Sequence, residues 1–410
     1  MSETLVADPT FRSNIRRLYM FQALKNFALW MPIWIIFLER DRGLSLAQIY
    51  VIVGIGWVVM AVADIPSGAL ADAFGRKAVV VGGTILSVSG LTVLSLAPGL
   101  VGVAIGYLLW AVGDSLISGT DMTLLYESAK LAGLEDDFAR IQGNSFQIIQ
   151  ASQAVSSVLG GVLAYYRLWL PMLITAGLSA VALVVMFTVT EPPIHPDDRQ
   201  GYFQILRSAT TYLRHHPRAT SLLTYTALAA GTAFFVPFVL FQPEMAAHAV
   251  DVAWFGLMFT GLRTASLLGL RYGRKIIRAD NLYRAMIVVP VLMTGLFVCV
   301  AVSPNWWTAY ISMLVLAGVS PALRPMANAL LNRMVPGGIR ATLLSTQNVA
   351  MTLFIAVMHP AVGATADAWG LRYAFVLLAG VSLIPLFAVP LIRREEPAAA
   401  PDETKVGASG

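Results

Sequence analysis

Asp114 and Asp121 stand seven residues apart inside a long apolar stretch, with Ser118 between them. In a helix that spacing puts both carboxylates on one face. Two other apolar stretches carry similar stripes. One holds Gln22, Lys25 and Asn26; the other holds Arg324, Asn328 and Asn332 at i, i+4 and i+8, where Pro321 and Pro325 can loosen the backbone. Arg263 is a lone cation in a fourth. Such groups are costly in hydrocarbon and by default mark a route for a substrate or a proton. Counted from the nearer helix ends, Lys25 and Asp121 both lie about 10 Å deep and Asp114 roughly 20 Å. The count predicts a buried Lys25–Asp121 ion pair. It leaves Asp114 unpaired near mid-depth, where taking up a proton relieves the cost of its charge, with Arg263 or Arg324 as an alternating partner. Asp64 is expected to have a structural partner across a helix interface, and His359, before Pro360, to be a packing histidine. Trp30, Trp34, Phe234 and Phe235 could contact an apolar substrate, although for Trp34 an interfacial anchor is the favoured expectation.

The elements that must hold these groups follow from composition. Of 410 residues, 57% are hydrophobic and 12% charged, against about 25% charged in a soluble chain. Mean hydropathy is +0.70. This is a polytopic membrane protein. A net charge of +5 would suit nucleic acid, but the bases gather in loops on one side, so topology accounts for them and no nucleic-acid partner is expected. The single Cys299 supports neither a disulfide framework nor a cysteine metal site. No P-loop, H-E-x-x-H or G-x-S-x-G is present, so neither direct use of ATP nor an enzyme is expected, and no cofactor or metal.

At about 20 apolar residues per span, helices fall near 17–38, 46–70, 78–97, 101–127, 141–164, 168–189, 219–241, 252–271, 284–303, 307–332, 341–364 and 371–392. Twelve spans place both termini on one side. Of the 28 bases, only Arg40, Arg42, Arg167 and Arg372 fall in loops on the other side, and Lys25, Arg263 and Arg324 fall within spans. Both termini are therefore expected in the cytoplasm, with the first apolar run retained as a helix. The longest connection, 191–218, divides a first bundle (1–190) from a second (219–392), and 393–410 reads as a disordered tail. Within the connection, Tyr202, Leu206, Ala209 and Leu213 share one face of an expected amphipathic helix on the membrane surface. Gly75-Arg76-Lys77 returns as Gly273-Arg274-Lys275, and Arg140 as Arg340, the echo of a duplicated six-helix unit.

Between spans two and three runs DIPSGALADAFGRK, Asp64 to Lys77. Gly75 breaks the helix, and Arg76 and Lys77 anchor the turn on the basic side. Gly68, Leu70, Asp72, Gly75, Arg76 and Lys77 resemble the G-x-L-x-D-x-x-G-R-K signature of the major facilitator superfamily, with Ala73 where a base is common. The segment Ser118 to Tyr126, the RATLLSTQN opening of span eleven and the Glu191-Pro192 pair also look like bacterial members. In span five, Gly143, Ser152, Ser156, Ser157, Gly160 and Gly161 match the small positions of the antiporter motif G-x(8)-G-x(3)-G-P-x(2)-G-G without its proline. Generic small-residue packing reads those positions equally well, and the R-x-x-Q-G element of span four is missing.

The resemblance implies an all-α fold of twelve transmembrane helices in two pseudo-symmetric bundles. Spans one, four, seven and ten would line a central cavity that opens to alternate sides. It implies that Asp72 caps span eleven near Ala341 and that Arg76 pairs with Glu127, together forming a gate on the terminal side. The expected function is secondary transport of a small organic molecule, proton-coupled efflux in a drug-efflux-like branch, by a monomer in the cytoplasmic (inner) membrane. Uptake or export of an organic anion, favoured by Lys25, Arg263 and Arg324, is the alternative. A non-transporting sensor is a remote one.

Overall fold

The computed structural model describes residues 9–193, 211–278, 280–334 and 337–393. Among these residues every regular element is helical. Eleven helices are long and apolar enough to cross a membrane: Leu46–Asp64, Arg76–Leu96, Gly99–Leu131, Phe138–Tyr166, Leu170–Phe187, Pro217–Ala247, Val252–Gly273, Leu282–Ala301, Trp306–Leu331, Ser345–Trp369 and Leu371–Arg393. They are spans two to twelve of the expected set. Span one is the twelfth, and it is split. A helix Pro9–Lys25 ends at Lys25, residues 26–33 are irregular, and a second helix runs Trp34–Arg40. Most of the amphipathic helix expected around Tyr202, Leu206 and Ala209, and nearly all of the tail, lie outside the described residues.

Spans one to six pack on one another, as do seven to twelve. The two bundles meet chiefly where span two lies on span eleven and span five on span eight. Lipid offers no hydrophobic drive to bring helices together, so close approach depends on small residues. A Cβ on Gly83 would sit 2.8 Å from the Gly113 carbonyl oxygen, and one on Gly106 would sit 2.6 Å from the Leu94 nitrogen. Spans three and four are thus in backbone contact.

All four spans expected to line the cavity depart from regular α-helix. Span four breaks at Ser118 and Gly119, the latter at φ +79. Span seven contains a π-helical turn, Val236–Leu240, at Pro237. Span ten passes through a 3₁₀ turn, Ser320–Leu323, that contains Pro321 and is followed by Pro325. Irregular backbone survives at membrane depth only where other groups satisfy it. At the break in span one, Gln242 of span seven does this from both ends of its amide. Its Oε1 accepts from the Ile35 nitrogen at 2.9 Å, and its Nε2 donates to the Met31 carbonyl at 3.0 Å. The Leu29 nitrogen donates to Thr175 Oγ1 at 3.2 Å.

The Gln242 bonds also cross between the bundles, and they lie on the side opposite the termini, called the far side below. Tyr50 donates to the Val239 carbonyl at 2.9 Å, and Asp367 accepts from the Ala47 nitrogen at 3.0 Å. Thr260 donates to Ala154, and Arg263 to Gln150 and Gln153, nearer mid-depth. Among the described residues, the hydrogen bonds joining the bundles all lie between the far-side loops and Arg263. The far side is closed in this structure.

Candidate functional site

An internal chamber of about 250 Å³ is bordered by both bundles. All six spans of the first bundle reach it, with Phe234 and Phe238 of span seven completing the wall. Its lining has two characters. Trp30, Trp57, Tyr107, Trp110, Phe234 and Phe238 form an aromatic collar, and Lys25, Asn26, Asp114 and Gln153 form a polar floor toward the terminal side. The collar is self-supporting: Trp30 meets Trp110 edge-on at 5.1 Å, Trp57 meets Phe234 at 5.3 Å, and Phe234 stacks on Phe238 at 4.7 Å.

Lys25 Nζ lies 2.7 Å from Asp114 Oδ1, with both side chains mostly buried. This overturns the expected Lys25–Asp121 pair. Depth counting assumes continuous helices, and both helices break beside the site: span one directly after Lys25, and span four between Asp114 and Asp121. The break also removes the shared face that a seven-residue spacing gives in an intact helix. Asp121 is held by a neutral group, Gln22 Nε2, at 3.2 Å. Gln22 is wholly buried and accepts from Ser145 at 2.6 Å, so it supports the floor and does not line the chamber. Asn26 donates to the Gln22 carbonyl at 2.9 Å and accepts from Gln153 at 3.5 Å. Gln153 in turn accepts from Arg263 at 2.6 Å. A continuous polar chain therefore runs from Arg263 in the second bundle to Asp121 in the first.

Arg263 sits beside the chamber in a side pocket of about 150 Å³. Two glutamine amides and the faces of Phe238 and Phe259 surround its guanidinium, with no carboxylate within ion-pair distance among the described residues. Arg324 and Asn328 do not reach the chamber. Arg324 lines a separate gap of about 30 Å³ among spans seven, ten and eleven, and Asn328 Oδ1 is buried without a hydrogen-bond partner among the described residues. The stripe positions all lie beyond the 3₁₀ turn in the helix Arg324–Met334, so their spacing is kept, but Arg324 borders spans seven and eleven instead of the chamber.

Other expectations are also revised. Trp34 is no interfacial anchor: it is 7% exposed and stacks on Tyr107. Asp64 takes a hydrogen bond from Ser115 of span four, the structural partner anticipated for it. Gly160 abuts the Leu29 backbone, and a Cβ on Gly161 would lie 2.7 Å from the Gly256 nitrogen. A Cβ on Gly143 or Gly68 would meet nothing within 4 Å, so close packing explains neither.

At the motif turn, Gly75 holds φ +93, a conformation side chains resist. Its exposed helix start is capped by Glu191, whose two oxygens accept from the Arg76 nitrogen at 2.9 Å and the Lys77 nitrogen at 2.8 Å. A carboxylate at a helix N-terminus meets both unpaired N–H groups and the positive end of the dipole. Arg76 Nη2 is 3.6 Å from Glu127 Oε1, the pair the resemblance implies, and Lys77 donates to the Phe187 carbonyl at 2.9 Å. The expected capping of span eleven by Asp72 falls near Ala341, whose side chain lies outside those described.

Two broken-helix bundles enclosing an aromatic chamber have the architecture of a membrane transporter. The sequence profile of the Major Facilitator Superfamily matches residues 18–279 and 278–409, and the chain belongs to that superfamily. It is 22% identical over 393 residues to an uncharacterised MFS-type transporter, YxaM, of Bacillus subtilis (strain 168), covering 91% of this chain and 94% of that one. Solved structures share the fold. The nucleoside transporter NupG superposes with a TM-score of 0.75 at 15% identity, covering 94% of this chain and 100% of that one. A bacterial homologue of the human lysosomal transporter Spinster, inward-facing and unoccupied, gives 0.75 at 15% identity, with 96% and 100% covered.

Proposed function

We propose that the chain exports a small organic molecule in exchange for protons, with the aromatic chamber as the substrate site and the Lys25–Asp114 pair as the proton switch. The observation that carries this reading is the 2.7 Å ion pair in the chamber wall, at the hinge-like end of the split span. Protonating Asp114 removes the charge that holds Lys25, and Lys25 is the last helical residue before the irregular segment. A proton there can therefore change how that segment packs. The aromatic collar favours an apolar, ring-bearing substrate over a sugar-like one. Arg263, held only by neutral amides, favours an acidic group on the substrate as a second reading. We further assign protons, substrate and lipid as the partners of a monomer, divided into bundles at 191–218.

Reconstituted protein with a trapped pH-sensitive dye tests coupling: adding transported substrate should move protons, and substrate counterflow without any proton signal would overturn the exchange. Orientation is tested separately. With both termini cytoplasmic, a C-terminal green fluorescent fusion should be bright and an alkaline phosphatase fusion inactive; the reverse pattern would invert the topology.

A further inference from the structure

Beyond the collar, on its far side, the chamber narrows to a recess of about 70 Å³. Trp34, Val53, Val239 and His359 join the collar rings in its wall. His359 is 1% exposed on span eleven, among Tyr50, Phe235 and Phe234 at ring distances of 5.9, 4.8 and 6.2 Å. Its Nδ1 lies 2.7 Å from the Ile355 carbonyl. A carbonyl only accepts, so Nδ1 carries the hydrogen and Nε2 is left as an acceptor lone pair. That nitrogen is buried and has no hydrogen-bond partner among the described residues. An orphaned polar atom in an otherwise apolar wall carries a desolvation cost that needs a reason. A phenylalanine would fill the same space among the surrounding rings without it.

We propose that the recess is a recognition subsite for a flat aromatic ligand carrying an N–H or O–H donor on its edge, which His359 Nε2 accepts. The inference rests on the chamber being the substrate site. The collar supplies faces and edges for stacking a ring. The recess is too small for a second ring, but it takes the polar edge of one seated in the chamber. The second bundle would then read the ligand through span eleven while the first holds it through spans one, two and four. A ligand bonded to both bundles is held best when the far side is closed, as it is here.

The test needs no knowledge of the natural substrate. Indole, 3-methylindole and 1-methylindole are titrated by calorimetry into the purified protein in nanodiscs. The two methyl isomers have the same composition, and only 1-methylindole lacks the donor. Indole and 3-methylindole should bind at least about tenfold more tightly than 1-methylindole, since a site built to accept a donor rejects its methylated isomer. His359→Leu should erase the preference, and His359→Gln, which keeps an acceptor near the Nε2 position, should restore part of it. Ser312 of span ten, whose hydroxyl donates to the Thr308 carbonyl away from the chamber and the recess, serves as the control: Ser312→Ala should leave the preference intact. Equal binding of the isomers to the wild type, no binding of any, or a preference that survives His359→Leu in a protein that still melts cooperatively would overturn the proposal. Dye-monitored coupling judges the transport reading independently of these outcomes.

Discussion

Asp114→Asn is expected to abolish accumulation of substrate against its gradient while leaving counterflow exchange in place. The amide cannot be ionised, so the site is frozen in the state that mimics the protonated acid. Exchange needs only the loaded carrier to reorient, whereas accumulation needs a proton to be taken on one side and released on the other. Lys25→Ala should fail differently. It strands Asp114 beside an aromatic wall, at the lower end of the roughly 3–5 kcal/mol that breaking a buried pair costs, because the pair borders the chamber. Low yield and poor thermal stability are expected, and the double variant Lys25→Gln with Asp114→Asn should recover both without recovering coupling. Asp121→Asn, by contrast, exchanges a carboxylate held by Gln22 for an amide the same group can hold, and coupling should survive. Proton flux and counterflow measured on the same proteoliposomes decide the matter. Coupled accumulation by Asp114→Asn with normal proton movement would place the switch elsewhere.

That assignment shows what a sequence can and cannot disclose. The twelve apolar runs, the motif turn at Gly75 and the presence of charge at positions 25, 114, 121 and 263 are all legible, because hydrophobic length and buried charge are properties of residue type. The choice of partner is a property of backbone path. The Lys25–Asp114 contact depends on two helix breaks beside it, and a regular helix is the only ruler a sequence supplies. Pro32 lies within the irregular segment and Gly119 within the span-four break, so each break left a trace. Neither trace gives the direction of the chain beyond it. The aromatic collar leaves a readable pattern in span four. Tyr107, Trp110, Asp114 and Ile117 follow one another at spacings of three and four, one face of one helix, and all four line the chamber. The Gln242 clamp was not legible, because it answers a break in a different span. Glu191 could be seen only as part of a resemblance, since nothing local says that its carboxylate turns back to Gly75.

The second large effect is expected at the far-side seam, from Gly256→Val. A Cβ at Gly256 meets backbone of span five, at Ser157 and at Val158 Cα 2.9 Å away. Across the same seam Gly161 faces the Gly256 nitrogen and the Ala253 carbonyl, at 2.7 and 2.8 Å from a Cβ built there. Backbone atoms cannot rotate aside as side chains do, so a branched residue must force the two helices apart. Those helices belong to different bundles, and they are in backbone contact in this structure, where the far side is closed. Overpacking costs about 1–3 kcal/mol, which would shift the balance between the two access states roughly 5–150-fold toward far-side opening. The fold within each bundle should be little affected, so expression is expected to be near normal while transport falls by a similar factor. The exposed Cys299 is the only cysteine, so Cys299→Ser gives a clean background. In it, Ala28→Cys places a label site in the chamber wall. A membrane-impermeant maleimide should reach that cysteine mainly from the terminal side in the parent, and mainly from the far side once Gly256→Val is added. Gly256→Ala should fall between the two. If labelling from both sides and transport are unchanged in Gly256→Val, the seam does not close the far side, and the alternating-access cycle must hinge on another contact between the bundles.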